Sequence, residues 1–411
     1  MAEPEDLPEQ WSVFSKQSGP VHRVFRGLLR HRQVDALDTI IGYLNHPHRA
    51  HDRLGAVAVL PTGTGKSGIA VLLPYLLGSL RVLVVTPSLT ITQQLNSDFS
   101  SASNQPKRRA YIIERGIFRH EHVQRVLPHP GVATNIADLV NLTARMDGRS
   151  CIIIANAQKL PPRALAEIPE NKFDLVIVDE AHHYPSEIWS NIVHRFRQHA
   201  KVVFLTATPR NPLPEDWNIC YNLRFGDAVN EGIIRNLLFA NLPVQPNVDP
   251  NTAIIQQMIQ LLDEHGTIVV DGVRRSYQGL ILTGKRTEDA DQIANLFNAI
   301  DNRFHACAYH TKLENSENVK NEFVAGNRRI LVVVGSLLEG FNHELVSVVG
   351  ICRPVGTGVI AFTQFVGRAV RHVENEPQAF NASLVSHVSY SQFQNHYNLV
   401  NDVAFEPVIE F

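Results

Sequence analysis

Short aliphatic runs recur along the chain and are separated by longer segments of helical periodicity. Ala56–Leu60, Val82–Val85 and Leu175–Val178 are continuous apolar runs of this kind. Such runs are typical of parallel strands, because both faces of each strand pack against apolar neighbours. The apolar segment Ile69–Leu77 follows the first run and is long enough for a helix. The pattern predicts an α/β fold built on a parallel sheet.

The second half of the chain repeats this organisation. Leu280–Thr283 and Arg329–Val334 are further strand candidates, and Thr287–Ile300 between them has apolar residues at helical spacing. We therefore predict two tandem α/β domains, each a parallel sheet flanked by helices. The predicted boundaries are an N-terminal extension at 1–27, a first domain at 28–240, a linker at 241–250 and a second domain at 251–411. The linker prediction rests on the three prolines of Asn241–Pro250.

The amino-acid composition excludes only a few classes of function. The chain has 411 residues, 44% of them hydrophobic, and 38 Lys and Arg against 40 Asp and Glu give a net charge of −2. The net charge therefore gives no indication of nucleic-acid binding. The candidates for nucleic-acid contact are local basic runs such as Lys107–Arg109. The four cysteines include no close pair, which disfavours zinc-finger and iron–sulfur sites. No signal pattern or membrane-length apolar stretch is present, so we expect a cytoplasmic or nuclear protein without membrane association.

A glycine-rich run follows the first predicted strand. Gly63 and Gly65 lack side chains, so the backbone there can direct N–H groups toward phosphates. Lys66 is placed to reach the β- and γ-phosphates, and the Ser67 hydroxyl to bind Mg²⁺. Leu60 stands where the general motif has glycine. The predicted phosphate-binding residues are Thr62, Gly63, Thr64, Gly65, Lys66 and Ser67.

Two carboxylates follow the third apolar run. Asp179 and Glu180 come directly after Leu175–Val178. In open α/β sheets, ligands bind at the carboxyl ends of strands. We therefore expect Asp179 to hold Mg²⁺ and Glu180 to orient and deprotonate the water that attacks ATP.

These motifs resemble those of superfamily-2 helicases of the DEAH-box type, in the branch of type III restriction motor subunits and XPB-like DNA helicases. The resemblance extends from about Leu29 to His372 and includes Asp179-Glu-Ala-His182. It implies two RecA-like domains that hydrolyse ATP, with Gln33 reading the adenine and Glu231–Arg235 leading into the second domain. It also implies nucleic-acid contacts by Thr86, Pro87, Ser88, Gln94, Gln158, Thr206, Thr208 and Thr283.

In the second domain the resemblance implies two further elements. Ser336–Asn342 is similar to a Glu-Gly-Phe-Asp element, with Gly340 and Asn342 as candidate nucleotide contacts. Gln364, Arg368 and Arg371 match the helix that supplies arginine fingers. Because Arg368 and Arg371 are three residues apart, we expect them on one face of a helix. Guanidinium groups suit dispersed phosphate charge, since they are planar and permanently charged.

We expect an ATP- and Mg²⁺-dependent helicase or translocase that acts on DNA. The alternative is a duplex sensor or scaffold that closes on nucleic acid, RNA included, without productive unwinding. No nuclease-like cluster follows the motor motifs, so we expect a partner protein to supply a nuclease or specificity function.

Overall fold

The computed structural model describes residues 29–46, 55–99, 111, 130–144, 151–161, 165–184, 186–208, 214, 217–310, 312–334, 343–355, 359–373 and 375–401. The chain divides into two compact units. The first contains Met1–Leu60, Gly65–Leu223 and Pro407–Phe411, and the second contains Pro61–Thr64 and Arg224–Glu406. The predicted N-terminal extension and most of residues 101–150 lie outside the described residues.

The first unit contains strands and helices in regular alternation. Its helices are α1 (His31–Asn45), α2 (Lys66–Leu77), α3 (Leu89–Phe99), α4 (Ile136–Ala144) and α5 (Glu187–Phe196). Its strands are β1 (Gly55–Val59), β2 (Arg81–Thr86), β3 (Gly131–Ala133), β4 (Cys151–Asn156), β5 (Leu175–Asp179), β6 (Lys201–Thr206) and β7 (Trp217–Asn222).

These seven strands form one sheet in the order β3-β4-β2-β5-β6-β1-β7, and every neighbouring pair is parallel. Alternate residues enter two different cores. Ala56 and Ala58 pack in one apolar cluster, whereas Val57 and Val59 pack in another. Burial on both faces explains why β1 reads as a continuous apolar run.

The second unit has its own set of elements. Its helices are α6 (Phe225–Asn230), α7 (Pro250–His265), α8 (Thr287–Ile300), α9 (Ser316–Ala325), α10 (Val359–Val366) and α11 (Phe393–Val400). Its strands are β8 (Asn236–Leu242), β9 (Thr267–Val270), β10 (Val273–Ser276), β11 (Gln278–Thr283), β12 (Cys307–Tyr309), β13 (Ile330–Val334), β14 (Val346–Ile351) and β15 (Asn381–His387).

Six of these strands form a second sheet in the order β12-β13-β11-β14-β15-β8, again entirely parallel. β9 and β10 pair separately as an antiparallel hairpin. The prediction of two α/β units with parallel, helix-flanked sheets is confirmed. The helix predicted at Thr287–Ile300 has those bounds in the structure.

The predicted position of the boundary between the domains is wrong. The units divide at Leu223 and Arg224, before the predicted linker at 241–250. β8 pairs with β15 along its whole length, so residues 236–242 are the edge strand of the second sheet. Pro250 is the first residue of α7, after Asp249, whose side chain accepts hydrogen bonds from Asn251 and Thr252. The prolines from which the linker was predicted therefore lie from the end of a strand to the start of a helix.

Within the described residues, no helix combines the length and the apolar character that crossing a bilayer requires.

Candidate functional site

The glycine-rich run forms a tight loop between β1 and α2. Gly63 has φ of 92° and Gly65 has φ of 99°, values that residues with a Cβ rarely adopt. The Thr64 hydroxyl donates a hydrogen bond to the Pro61 carbonyl at 2.7 Å. α2 begins at Lys66, immediately after Gly65. The loop therefore delivers its N–H groups and the amino end of a twelve-residue helix to one place, as a phosphate site requires.

Lys66 is held close to the start of this loop. Its Nζ donates a hydrogen bond to the Leu60 carbonyl at 3.1 Å. Leu60 N in turn donates to the Thr206 carbonyl at 2.9 Å, which ties the loop to the end of β6. The ammonium group is thus folded back toward the start of the loop.

Gln33 contacts the same loop from α1. Its Nε2 donates to the Gly65 carbonyl at 2.9 Å and to the Tyr111 hydroxyl at 3.1 Å. Its Oε1 accepts from Arg30 N at 3.2 Å. Both amide hydrogens of Gln33 are therefore donated to groups of the protein, and the observed role of Gln33 is to support the phosphate loop. Reading of adenine by Gln33 stays a prediction.

Tyr111 is a site residue that sequence reasoning missed. Besides bonding Gln33, its ring lies so close to Gly68 on α2 that a Cβ at Gly68 would overlap the phenol. Tyr111 lies in a stretch without any recognisable motif, far along the chain from Gly68. Only the folded chain brings it to the loop, so no local signal in the sequence identifies it.

The two predicted acidic residues end the central strand β5. Asp179 is its last residue, and Glu180 follows with φ of 51°. A left-handed backbone at a non-glycine residue costs about 1–3 kcal/mol and is often found at functional sites. Burial raises the pKa of the Asp179 carboxyl, the negative charge of Glu180 raises it further, and Lys66 opposes both effects. Asp179, Glu180 and Lys66 therefore share one electrostatic environment.

Asp98 near the end of α3 is a second residue that the sequence did not reveal. It is buried, and its charge adds to the forces that raise the pKa of Asp179. Two carboxylates and a third acidic side chain thus act against one ammonium group. This excess of negative charge is what a divalent cation would offset, so Asp179, together with Ser67 at the first turn of α2, fits a Mg²⁺ site.

The two histidines after Glu180 pack into the unit. His182 is buried, and its Nδ1 lies 3.4 Å from Glu180 Oε2. The His183 ring stacks on Trp189 with centroids 5.8 Å apart. His182 therefore belongs with the carboxylates, whereas His183 anchors the segment to α5.

The predicted nucleic-acid contacts in the first unit differ in accessibility. Thr86 is buried, with its hydroxyl 2.6 Å from that of Thr92. Thr206 and Thr208 are also buried and bond each other, since Thr208 N donates to Thr206 Oγ1 at 3.2 Å. Pro87 is buried, Ser88 and Gln94 are half-buried, and Gln158 is exposed. Gln158 is therefore the most open of these candidates, and the threonines hold the ends of β2 and β6.

In the second unit the predicted placement of the arginines on a helix is wrong. Gln364 lies on α10, but that helix ends at Val366. Arg368 lies in the turn that follows, and Arg371 is extended, forming an isolated bridge with Ile234. After Val366 the chain tightens into a turn with i→i−3 bonds, from Arg368 N to Phe365 and from Ala369 N to Val366, and the Ala369 and Val370 carbonyls accept from Arg235.

The remaining candidates of the second unit are Thr283, Gly340 and Asn342. Thr283 is the last residue of β11 and is buried. Gly340 and Asn342 lie outside the described residues.

Comparison with known proteins places this geometry in context. Residues 26–211 match the family model described as Type III restriction enzyme, res subunit. No curated protein matches the chain. Two solved structures come from restriction enzymes. A fragment of an HsdR subunit of a type I restriction enzyme from Vibrio vulnificus YJ016 matches at 16% identity and a TM-score of 0.62, covering 98% of this chain and 70% of that one.

The ATP-dependent Type ISP restriction-modification enzyme LlaBIII, bound to DNA, matches at 15% identity and a TM-score of 0.60, over 87% of this chain but only 27% of that enzyme. A point variant of Dbp5 from S. cerevisiae, bound to RNA and ADP BeF3, matches at 13% identity and a TM-score of 0.54, covering 92% of each chain. At these identities the structures show a shared fold of the RecA-like helicase kind. The family model covers less than half of the chain, and it shows a resemblance of the first unit to restriction-enzyme res subunits.

Proposed function

We propose that the chain is an ATP-dependent nucleic-acid motor, a helicase or translocase that acts on DNA. The observation that carries the proposal is the arrangement of three adjacent strands of the first sheet. β5, β6 and β1 lie side by side, and their carboxyl ends supply Asp179, Thr206 and the glycine-rich loop. A phosphate loop and a carboxylate pair at one sheet edge are the parts that hydrolysis of a nucleoside triphosphate needs.

Each residue of this edge has a proposed task. The loop N–H groups and Lys66 bind the ATP phosphates, and Ser67 and Asp179 hold Mg²⁺. Bound Mg²⁺ neutralises charge on the phosphate oxygens. Glu180, held at its unusual φ, orients and deprotonates the water. His182 beside it connects the carboxylates to the rest of the unit.

The second unit is proposed to act as the second motor domain. Gln364, Arg368 and Arg371 would contribute positive charge to the phosphates in the hydrolysing state. An arginine finger contributes about 10³–10⁵ to the rate in related phosphoryl transfers. A cycle of ATP binding and hydrolysis drives movement only if the two nucleotide states favour different arrangements of the protein.

DNA is the favoured partner because the family match is to a restriction-enzyme subunit and LlaBIII is bound to DNA. The RNA-bound Dbp5 shares the fold and makes RNA the outcome to test against. Because the family match is to a restriction-enzyme subunit, we further propose that a partner protein supplies a nuclease or specificity function.

The test is the ATPase rate measured with no nucleic acid and then with single-stranded DNA, duplex DNA and duplex RNA. We expect DNA to stimulate turnover. Strand displacement from 3′-tailed and 5′-tailed duplexes then separates unwinding from translocation without unwinding. If duplex RNA alone stimulated ATP turnover and no strand displacement occurred, the chain would act as a duplex sensor and not as a motor. Absence of ATP hydrolysis under all four conditions would overturn the proposal.

A further inference from the structure

One arginine of the second unit is fully enclosed by the protein. Arg235, between α6 and β8, has 1% of its surface exposed, and its side chain is 0% exposed. Its ion-pair partner Glu376 is equally buried, at 2.8 Å. A buried ion pair often contributes little net stability, because both charges lose their water. The hydrogen-bonding geometry of the Arg235–Glu376 pair is therefore more informative about its role than the stability it contributes.

All five guanidinium hydrogens of Arg235 have acceptors. Nε and Nη2 bond the two oxygens of Glu376, each at 2.8 Å. The other three bonds go to backbone carbonyls, at 2.6 Å to Val346, 2.8 Å to Ala369 and 3.0 Å to Glu344. A lysine, with three donors and no fork, cannot reproduce this set.

Aromatic rings fix the orientation of this pair. Tyr277 donates its hydroxyl hydrogen to Glu376 at 2.5 Å and stacks on Phe380 with ring centroids 4.6 Å apart. The Arg235 guanidinium carbon lies 5.2 Å from the centre of the Phe380 ring. We call Arg235, Glu376, Tyr277 and Phe380 the Arg235 cluster. Its members hold one another in place from three separate stretches of chain.

The carbonyls that Arg235 binds belong to informative segments. Ala369 lies between Arg368 and Arg371, and the backbone N of Arg235 also binds the Val370 carbonyl at 2.7 Å. Glu344 and Val346 follow the Ser336–Asn342 segment in the sequence. The side chain of Arg235 thus connects the arginine segment (residues 368–371) to the start of β14. Arg235 itself immediately precedes β8, the edge strand of the second sheet.

We propose that Arg235 is a positioning residue for Arg368 and Arg371, setting the backbone between them so that both guanidinium groups reach the nucleotide phosphates in the hydrolysing state. This inference rests on the proposed ATPase function. Arg235 itself touches no substrate. Its contribution is geometric, and misplacement of catalytic groups by about 1 Å can cost about 10²-fold in rate.

The test compares Arg235→Lys with Arg195→Lys. Arg195 is a matched control, because its guanidinium also bonds backbone carbonyls, those of Ala166 and Ile168, and a carboxylate, that of Glu170, and none of these lies in the Arg235 cluster or the arginine segment. We expect Arg235→Lys to speed hydrogen–deuterium exchange in peptides covering residues 366–373, while Arg195→Lys leaves those peptides unchanged. Equal exchange in both variants would overturn the inference, whether or not the protein hydrolyses ATP.

The kinetic arm is a double-mutant cycle with Arg371→Ala. Arg235→Lys alone should lower kcat about 10- to 100-fold with an unchanged KM for ATP. In the Arg371→Ala background the same change should cost markedly less than in the wild type, since only Arg368 is then left for Arg235 to position. Independent losses that multiply would show that Arg235 has only a structural role. A wild-type protein without ATPase activity would instead remove the proposed function, and the exchange result alone would then decide the inference.

If Arg235→Lys does not fold, Tyr277→Phe replaces it, because that change removes one hydrogen bond to Glu376 and leaves the ion pair. We expect the same pattern with a smaller loss of kcat. An unchanged exchange pattern around residues 366–373 in Tyr277→Phe would count against the inference.

Discussion

The two units use buried charge in opposite ways. At the carboxyl edge of the first sheet, Asp179 and Glu180 act against one ammonium group, that of Lys66, and burial together with the charge of Glu180 raises the pKa of Asp179. In the second unit the charges of Arg235 and Glu376 balance, and every guanidinium hydrogen has an acceptor. The first arrangement prepares a site for a ligand that brings positive charge, whereas the second fixes a geometry. Substitutions in each unit can break or sharpen this contrast.

The largest effect is expected for Lys66→Ala. Removing the ammonium that opposes the carboxylates should abolish ATP binding and lower turnover by more than about 10³-fold. Isothermal titration with ATP and a steady-state ATPase assay measure the two losses. The matched control is Lys172→Ala, because Lys172 precedes β5 and so lies at the opposite edge of the sheet. ATP binding retained in Lys66→Ala would remove the contrast between the units.

Glu180→Gln sharpens the contrast by keeping the shape of the side chain and removing its charge. We expect ATP to bind normally and turnover to fall by about 10²-fold or more, the share of a general base. The variant should therefore accumulate on nucleic acid in the presence of ATP, as a gel-shift assay can show. Glu187→Gln, at the start of α5, is the control and should behave as wild type. Unchanged turnover in Glu180→Gln would exclude that residue as the base.

In the second unit the expected effect is on stability. Burial lowers the pKa of His343 to about 4 from 6.5, with the nearby charges of Arg371 and Arg275 acting in the same direction. The folded state therefore favours neutral His343. Its contribution to the free energy of unfolding is complete above pH 6.5 and decreases by about 3 kcal/mol as the pH falls to 4.

Urea unfolding of the wild type and of His343→Gln at several pH values between about 4 and 7 measures this. We expect a shallower loss of stability in His343→Gln, while the exposed-site control His199→Gln follows the wild type. Parallel curves for all three proteins would show that His343 is not protonated on unfolding in this range.

The smallest effect is expected for Tyr111→Phe, which removes the hydroxyl that accepts from Gln33. One neutral hydrogen bond is worth about 0.5–1.5 kcal/mol, so the KM for ATP should rise about 2- to 10-fold with kcat nearly constant. Tyr397→Phe, on the exposed side of α11, serves as the control. A fall in kcat at constant KM would show that Tyr111 acts on the chemical step and not on the loop.

Much of this organisation was accessible from sequence. Continuous apolar runs identified β1, β2, β5, β11 and β13, because strands buried on both faces leave no polar residues. The glycine-rich loop was accessible as well, since Gly63 and Gly65 adopt backbone angles that other residues avoid. The boundary between the domains was placed too late, because prolines mark strand ends and helix starts as well as linkers.

What the sequence by itself determined was the local chemistry: which strands are buried, where the loop must bend, and that a lysine, a serine and two acidic residues follow buried strands. Only the tertiary structure decided the partners that come from far along the chain. Tyr111 against Gly68 and Arg235 at the carbonyls of Ala369 and Val370 are contacts between residues with no shared motif, and the charge of Asp98 acts on Asp179 in the same way. Hydrogen bonds and charge effects depend on distances in space. Those distances are set only when the sheets form, so the separation of two residues along the chain does not reveal them.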